Sequence, residues 1–226
     1  MPHTRRTFLS WLGGTSLLAG MPSRLAAGAP SPEDATPHAP PVAETWDMSW
    51  TGRVTGRYKA VFDSPELSGG AALYRAVWWC EHYKEVYGVA RSDMTAVVVL
   101  RHAGFFMAMN DEFWSVVNLG KARQVRDAQG KKWAKVSPVG AAAAAATPSE
   151  ARFTLPNFIA DGGIALACGW TFGGAASMLA KAEKLEMPAA RERARTLLVP
   201  GVILQPNGIF AALRAQEAGC SYINAS

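Results

Sequence analysis

Short apolar runs alternate with helical patterns along most of the chain. The run MTAVVVL at 94–100 is rich in β-branched residues and has no polar alternation, which predicts a strand buried on both faces. Further apolar runs predict strands at 59–63, 163–168, 202–204 and 221–223. Helical spacing between these runs predicts helices, so residues 46–226 are predicted to form one α/β domain. Its expected architecture is three-layered, with about five mainly parallel strands and helices on both faces of the sheet.

Residues that begin or end helices support this alternation. Gly88 follows a long helical pattern and is typical of the position just after a helix. Asn207 is predicted to cap the last helix, which presents Ile209, Phe210 and Leu213 on one face.

The first 29 residues carry the pattern of an export signal. Arg5 and Arg6 directly precede a modestly apolar run at 8–19, which its glycine, serine and threonine residues make too weak to anchor in lipid. Ala-Gly-Ala at 27–29 offers a signal-peptidase site. Together these features resemble a twin-arginine (Tat) signal, which implies export of the folded chain to the periplasm by the Tat translocase. The alternative is an N-terminal helix that stays attached.

Two segments lack the pattern of a core element. Residues 30–45 hold five prolines and few large apolar side chains, and we expect a solvated linker there. Residues 121–150 combine a basic run with a tract of six alanines. We expect a long excursion with a solvated basic face, in preference to a site for an anionic ligand, and its role as a lid or a subunit contact stays open.

The composition narrows the classes of function. With 226 residues, 49% of them hydrophobic, the chain suits one domain with a proper core and is too apolar for a wholly disordered protein. No run of 18 apolar residues is present, which argues against an ordinary membrane-spanning protein. Removal of the signal would take three arginines and no acid from a formal charge of +5. The mature chain would be close to neutral, so nucleic-acid binding loses its electrostatic support.

The predicted sheet narrows the search for a site. In open parallel sheets, sites gather beyond the carboxyl ends of the strands, where helix N-termini present unsatisfied N–H groups. Here those positions hold Arg101 and His102 after the second strand, Cys168 and Gly169 after the third, and Asn207 after the fourth. We take Arg101, Gly169 and Asn207 as lining residues of the candidate site.

Cys168 is the leading candidate for a reactive residue. It closes a buried strand, and Gly169 lets the chain turn into a helix predicted over 172–186. The positive end of that helix is expected to favour the thiolate, and His102 is expected to supply a proton or stabilise the anion. The alternative is that Cys168 is a small buried hydrophobe and His102 a structural residue.

Other chemistry has weaker support. Cys80 lies in a predicted helix beside two tryptophans, where packing is expected, whereas Cys220 is expected to be partly exposed and a disulfide is left open. The chain has no P-loop, no nucleophile elbow and no haem-attachment or zinc-protease motif. We therefore predict no cofactor and no metal site.

Several segments taken together resemble the DsrE/DsrF-like family, whose members include sulfur-relay proteins. The similarity rests on VVVLRHAG at 97–104, the aromatic helix around Trp114, IALACG at 164–169 and the ending at 200–223. It implies a compact α/β fold with a five-stranded, largely parallel sheet that forms homo-oligomers. In sulfur-handling members a cysteine near a strand end carries sulfur as a persulfide, and Cys168 matches such a position. The segments at 121–150 and 172–198 are larger than a minimal member needs.

The resemblance leads to one functional expectation and two alternatives. We predict an exported DsrE-like protein that binds or carries a small sulfur species through the thiolate or persulfide of Cys168. The first alternative is a non-enzymatic, homo-oligomeric binding or scaffold protein of the cell envelope, suggested by the eight tryptophans and the incomplete catalytic constellation. The second is a metal- or cofactor-loaded redox protein, which would explain a Tat route. Whether any reaction is catalysed stays open at this point.

Overall fold

A computed structural model describes residues 45–226 of the chain. The Tat-like signal with Arg5 and Arg6 lies outside the described residues, as does the predicted linker except for its last residue. The described residues form the α/β fold that the sequence predicts.

In residues 45–226, five strands form a single sheet in which every neighbouring pair is parallel. The strands are β1 (Tyr58–Ser64), β2 (Met94–Leu100), β3 (Ile164–Cys168), β4 (Ile203–Gln205) and β5 (Ser221–Asn224). Their order across the sheet is β4-β3-β2-β1-β5, so the apolar run at 94–100 is the central strand. All seven of its residues are buried, as expected for a strand covered on both faces.

Eight α-helices and five short 3₁₀ segments connect the strands in the described part of the chain. The helices are α1 (Ala71–Tyr87), α2 (Asp111–Val116), α3 (Leu119–Ala122), α4 (Ala141–Ala146), α5 (Leu155–Ala160), α6 (Gly169–Glu183), α7 (Met187–Thr196) and α8 (Gly208–Glu217). The 3₁₀ segments are Ser49–Arg53, Ser68–Gly70, Arg91–Asp93, His102–Ala108 and Pro148–Phe153. Gly88 ends α1 in the left-handed conformation that the sequence pattern predicts.

Two apolar clusters hold the layers together, one on each face of the sheet. The larger cluster joins the sheet to α1, α2 and α6 and contains Leu73, Trp114 and Phe172. The smaller cluster lies under α8 and contains Trp50 and Ala215. The sheet is therefore enclosed between two helical layers, and the predicted three-layer architecture is confirmed.

Helix α8 turns its large apolar side chains away from the sheet. Ile209 is 63% exposed and Leu213 is 53% exposed, whereas Ala211, Ala212 and Ala215 are buried. Small side chains let the helix approach the strands closely, and this closeness decides which face is covered. The apolar face predicted from Ile209, Phe210 and Leu213 is thus mostly an outer face.

Hydrogen bonds to the carboxylate of Asp111 attach the segment at 121–150 to the rest of the domain. The carboxylate of Asp111 accepts hydrogen bonds from the backbone N–H groups of Ser137 and Ala142, both at 2.9 Å. Within the segment, the guanidinium of Arg126 lies 3.6 Å from the centre of the Trp133 ring.

None of the helices in residues 45–226 combines the length and apolar character that a bilayer crossing needs.

Candidate functional site

Cys168 lies where β3 passes directly into α6. It is the last residue of the strand and the residue before the first helical position, and its side chain makes no capping hydrogen bond. Helix α6 begins at Gly169, three residues earlier than the predicted start, so the thiol is attached directly at the helix N-terminus. The positive end of a helix stabilises a negative charge within its first turn. The Cys168 side chain is buried, with 5% of its surface exposed.

Trp46 and the end of β4 crowd the backbone next to Cys168. A Cβ atom at Gly169 would lie 2.7 Å from the carbonyl oxygen of Gln205 and 2.9 Å from the ring of Trp46. Only glycine fits at this junction without a shift of neighbouring backbone. Gly169 therefore forms the tight junction directly after Cys168, and Trp46 and Gln205 are neighbours that the sequence did not point to.

Gln205, at the end of the neighbouring strand β4, has an unpaired hydrogen-bond acceptor. It stands opposite Cys168 in the register of β3 and β4 and is fully buried. Its Nε2 donates to the carbonyl oxygens of Asp47 and Leu204, both at 2.9 Å. Its Oε1 has no hydrogen-bond partner among the described residues. A buried acceptor without a donor costs free energy.

His102 lies at the same edge of the sheet, just beyond the end of β2. Strands β2 and β3 are neighbours, and Leu100 stands opposite Ala167, so His102 and Cys168 leave the sheet side by side. The His102 side chain is exposed, and its backbone is left-handed with a φ of 47°. A non-glycine residue in this conformation stores local strain, which is often found at functional sites. No hydrogen bond joins His102 to Cys168 within residues 45–226.

Arg101 forms an ion pair with Asp63 at this edge of the sheet. Its Nε and Nη2 donate to the two carboxylate oxygens of Asp63, each at 2.8 Å, which is a bidentate ion pair. The hydroxyl of Tyr222 donates to Oδ2 of the same carboxylate at 2.6 Å. Asp63 and Arg101 lie at the carboxyl ends of β1 and β2, and Tyr222 is the second residue of β5, so this cluster ties three strands together.

The cluster fixes the protonation of its members. The hydrogen bonds that Arg101 donates to Asp63 raise the pKa of Arg101, and the hydrogen bond that Tyr222 donates to the same carboxylate raises the pKa of Tyr222. Arg101 therefore stays charged and Tyr222 stays a neutral donor near neutral pH. The aliphatic part of the Arg101 side chain packs against Gly208 at the start of α8. Arg101 thus lies at the predicted edge of the sheet, but its guanidinium is bound to Asp63 and stabilises the fold.

Asn207 begins α8 in the way the sequence predicts. Its side-chain oxygen accepts a hydrogen bond from the backbone N–H of Phe210 at 2.9 Å. The capping role is confirmed. Because that oxygen satisfies a helix N–H group, Asn207 lines the edge chiefly as part of the fold.

The other two cysteines are buried and unpaired, as is Cys168. The predicted packing of Cys80 is confirmed, whereas the expectation of a partly exposed Cys220 is wrong, because Cys220 belongs to the cluster beneath α8. Burial raises the pKa of the Cys80 thiol and raises that of Cys220 to about 11.

The buried thiol of Cys220 predicts a loss of stability at high pH. In the folded chain the pKa of the Cys220 thiol is about 11, whereas the ordinary value for a cysteine is 9.0. Between these two pH values the folded chain therefore binds more protons than the unfolded chain. The free energy of unfolding should therefore fall as the pH rises through this window. In Cys220→Ala we expect a shallower fall, measured by urea unfolding at several pH values. Identical slopes for the variant and the wild type would contradict this assignment.

The described residues contain no group of three or more His, Cys, Asp and Glu side chains placed to hold a metal ion. Comparison of the chain with protein-family models, with curated proteins and with solved structures gives no match. The resemblance to the DsrE/DsrF-like family therefore stays a prediction that rests on the sequence.

Proposed function

We propose that the protein accepts sulfane sulfur from a small persulfide and carries it on Cys168. One observation carries the proposal: Cys168 stands at the N-terminus of a 15-residue helix. In the register of β3 and β4 it lies opposite Gln205, whose buried Oε1 has no hydrogen-bond partner among the described residues. The helix end favours a sulfur anion, and the glutamine oxygen suits the S–H donor of a persulfide. His102, on the neighbouring strand end, is the proposed proton partner.

The proposed transfer balances with a persulfide R–S–SH as the only co-reactant. The Cys168 thiol loses its proton to His102, and the resulting thiolate attacks the outer sulfur of the donor. A new S–S bond forms to Cys168 while the S–S bond of the donor breaks. The donor leaves as R–S⁻ and takes up the proton from His102, so the products are the Cys168 persulfide and R–SH.

Loading of the purified chain with glutathione persulfide tests this proposal. We expect a single sulfane sulfur per chain, located on Cys168 by mass spectrometry of its peptide. Cys168→Ser should abolish loading, and Cys220→Ala, which removes another buried thiol, should load like the wild type. Circular dichroism of each variant verifies the fold. Normal loading of the Cys168→Ser variant would overturn the proposal.

The second candidate is a non-enzymatic binding or scaffold protein. The observation that favours it is the burial of Cys168, which belongs to the larger apolar cluster. In that case the thiol is a packing residue, and the wild type itself takes up no sulfur from glutathione persulfide. The loading experiment therefore separates the two candidates.

The proposed place of action is the periplasm, and the support for it is the Tat-like pattern around Arg5 and Arg6. A homo-oligomeric state belongs to the same proposal, because the family resemblance implies it. Analytical ultracentrifugation of the exported chain tests the oligomeric state.

A further inference from the structure

A cavity of about 430 Å³ opens on the α1 face of the sheet, away from the carboxyl edge. It lies between α1, α5 and the first residue of β2, Met94. Its floor is apolar and buried, formed by Ala76, Cys80, Met94 and Phe158. Cavities of this size are large enough for a small organic ligand. Neither Cys168 nor His102 lines it.

The mouth of the cavity is charged. Two ion pairs stand there, Arg91 with Asp161 and Arg152 with Glu81, each with an N–O distance of 3.0 Å. These four charges cancel in pairs. The fifth charged residue at the mouth is Lys84, whose ammonium group has no side-chain partner among residues 45–226. The lining therefore carries one uncompensated positive charge.

We propose that this cavity binds a small amphipathic monoanion, with its apolar body on the floor and its carboxylate at the ammonium group of Lys84. An apolar floor below a charged mouth accommodates a molecule with one apolar end and one charged end. The single uncompensated cation selects one negative charge, because the two arginines already have acidic partners.

The thiol of Cys80 fits this assignment. Burial raises its pKa, so the sulfur is a neutral thiol near neutral pH and the floor carries no charge of its own. A charged floor would favour a polar ligand, whereas a neutral thiol behaves as a small apolar group. No residue of the carboxyl edge lines this cavity, so binding here is independent of the chemistry proposed for Cys168.

Isothermal titration of the full chain with octanoate tests the proposal. Octanol and octylamine serve as probes of similar length without the negative charge. We expect octanoate to bind most tightly, and the advantage over octanol to shrink as salt is added. Failure of octanoate to bind, or equal binding of octanoate and octanol, would overturn the proposal.

Two variants locate the binding at this cavity. Lys84→Gln should weaken octanoate binding by about fivefold and leave octanol binding unchanged, because it removes one exposed charge. Lys181→Gln, which removes an exposed lysine from the last turn of α6, is the matched control and should bind like the wild type. Val77→Phe should fill the cavity from α1 and weaken both ligands by on the order of tenfold. Unchanged octanoate binding in Lys84→Gln or in Val77→Phe would refute the assignment.

Discussion

Replacing Asp63 by asparagine is expected to lower the free energy of unfolding by about 3 kcal/mol. The carboxylate of Asp63 is buried and holds both the guanidinium of Arg101 and the hydroxyl of Tyr222. The asparagine side chain cannot neutralise the partly buried Arg101, so an uncompensated charge would remain at the ends of β1 and β2. Urea unfolding near neutral pH measures the change.

Tyr222→Phe is the matched control for this prediction. It removes one hydrogen bond to the same carboxylate and leaves the ion pair with Arg101 intact, so we expect a loss of only about 1 kcal/mol. A loss for Asp63→Asn no larger than that for Tyr222→Phe would show that the ion pair does not tie the strand ends together.

Replacing Gly104 by alanine is expected to destabilise the fold by about 3 kcal/mol. A Cβ atom at this position would lie 2.2 Å from the carbonyl oxygen of Ser64 and 2.9 Å from that of Glu66. Both contacts are with backbone, so a side-chain rotation cannot relieve them. The substitution should push the loop that carries His102 away from the end of β1, and calorimetric unfolding should show a lower Tm.

Gly174→Ala is the matched control, because it adds the same methyl group at a position where it meets no neighbour. Gly174 lies inside α6, and no atom outside its own helix stands within 4 Å of a Cβ atom built there. Alanine is the better helix former, so we expect a gain of about 0.7 kcal/mol. Equal effects of the two glycine substitutions would contradict the close approach of Gly104 to β1.

Local patterns were sufficient to predict most of the fold. The apolar run at 94–100 gave the central strand with its bounds, because a strand covered on both faces needs no polar positions. Gly88 and Asn207 marked helix ends through backbone chemistry that acts over a few residues. These features depend on neighbours in sequence, and a single chain displays them directly.

Features that depend on distant residues could not be predicted in the same way. Asp63 lies 38 residues from Arg101 and 159 residues from Tyr222, and no local pattern predicts that residues from three strands share one carboxylate. The buried face of α8 was hidden for a related reason. Periodicity highlights Ile209 and Leu213, whereas the close packing of the helix on the sheet selects its alanines.

The sequence predicted which edge of the sheet carries the candidate residues, but it did not predict the side-chain contacts that these residues make. Cys168, His102 and Arg101 all leave the sheet at one edge, as the order of strands requires. The engagement of Arg101 by Asp63, and the approach of Trp46 and Gln205 to Gly169, depend on tertiary packing. The proposed chemistry therefore falls to Cys168 and His102, with Gln205 as the added neighbour.

The rates at which the three cysteines react with iodoacetamide in the native full chain test the central claim most directly. Peptide mapping by mass spectrometry follows Cys80, Cys168 and Cys220 in one reaction near neutral pH. Burial raises the pKa of the Cys80 thiol and raises that of Cys220 to about 11, so both should react slowly. Cys168 is buried as well, but the proposal places the reactive thiolate there because Cys168 stands at the N-terminus of α6. We expect Cys168 to be alkylated first, and Cys168→Ser to remove the fast phase. A Cys168 that stays unmodified until urea unfolds the chain would contradict its role as the sulfur carrier.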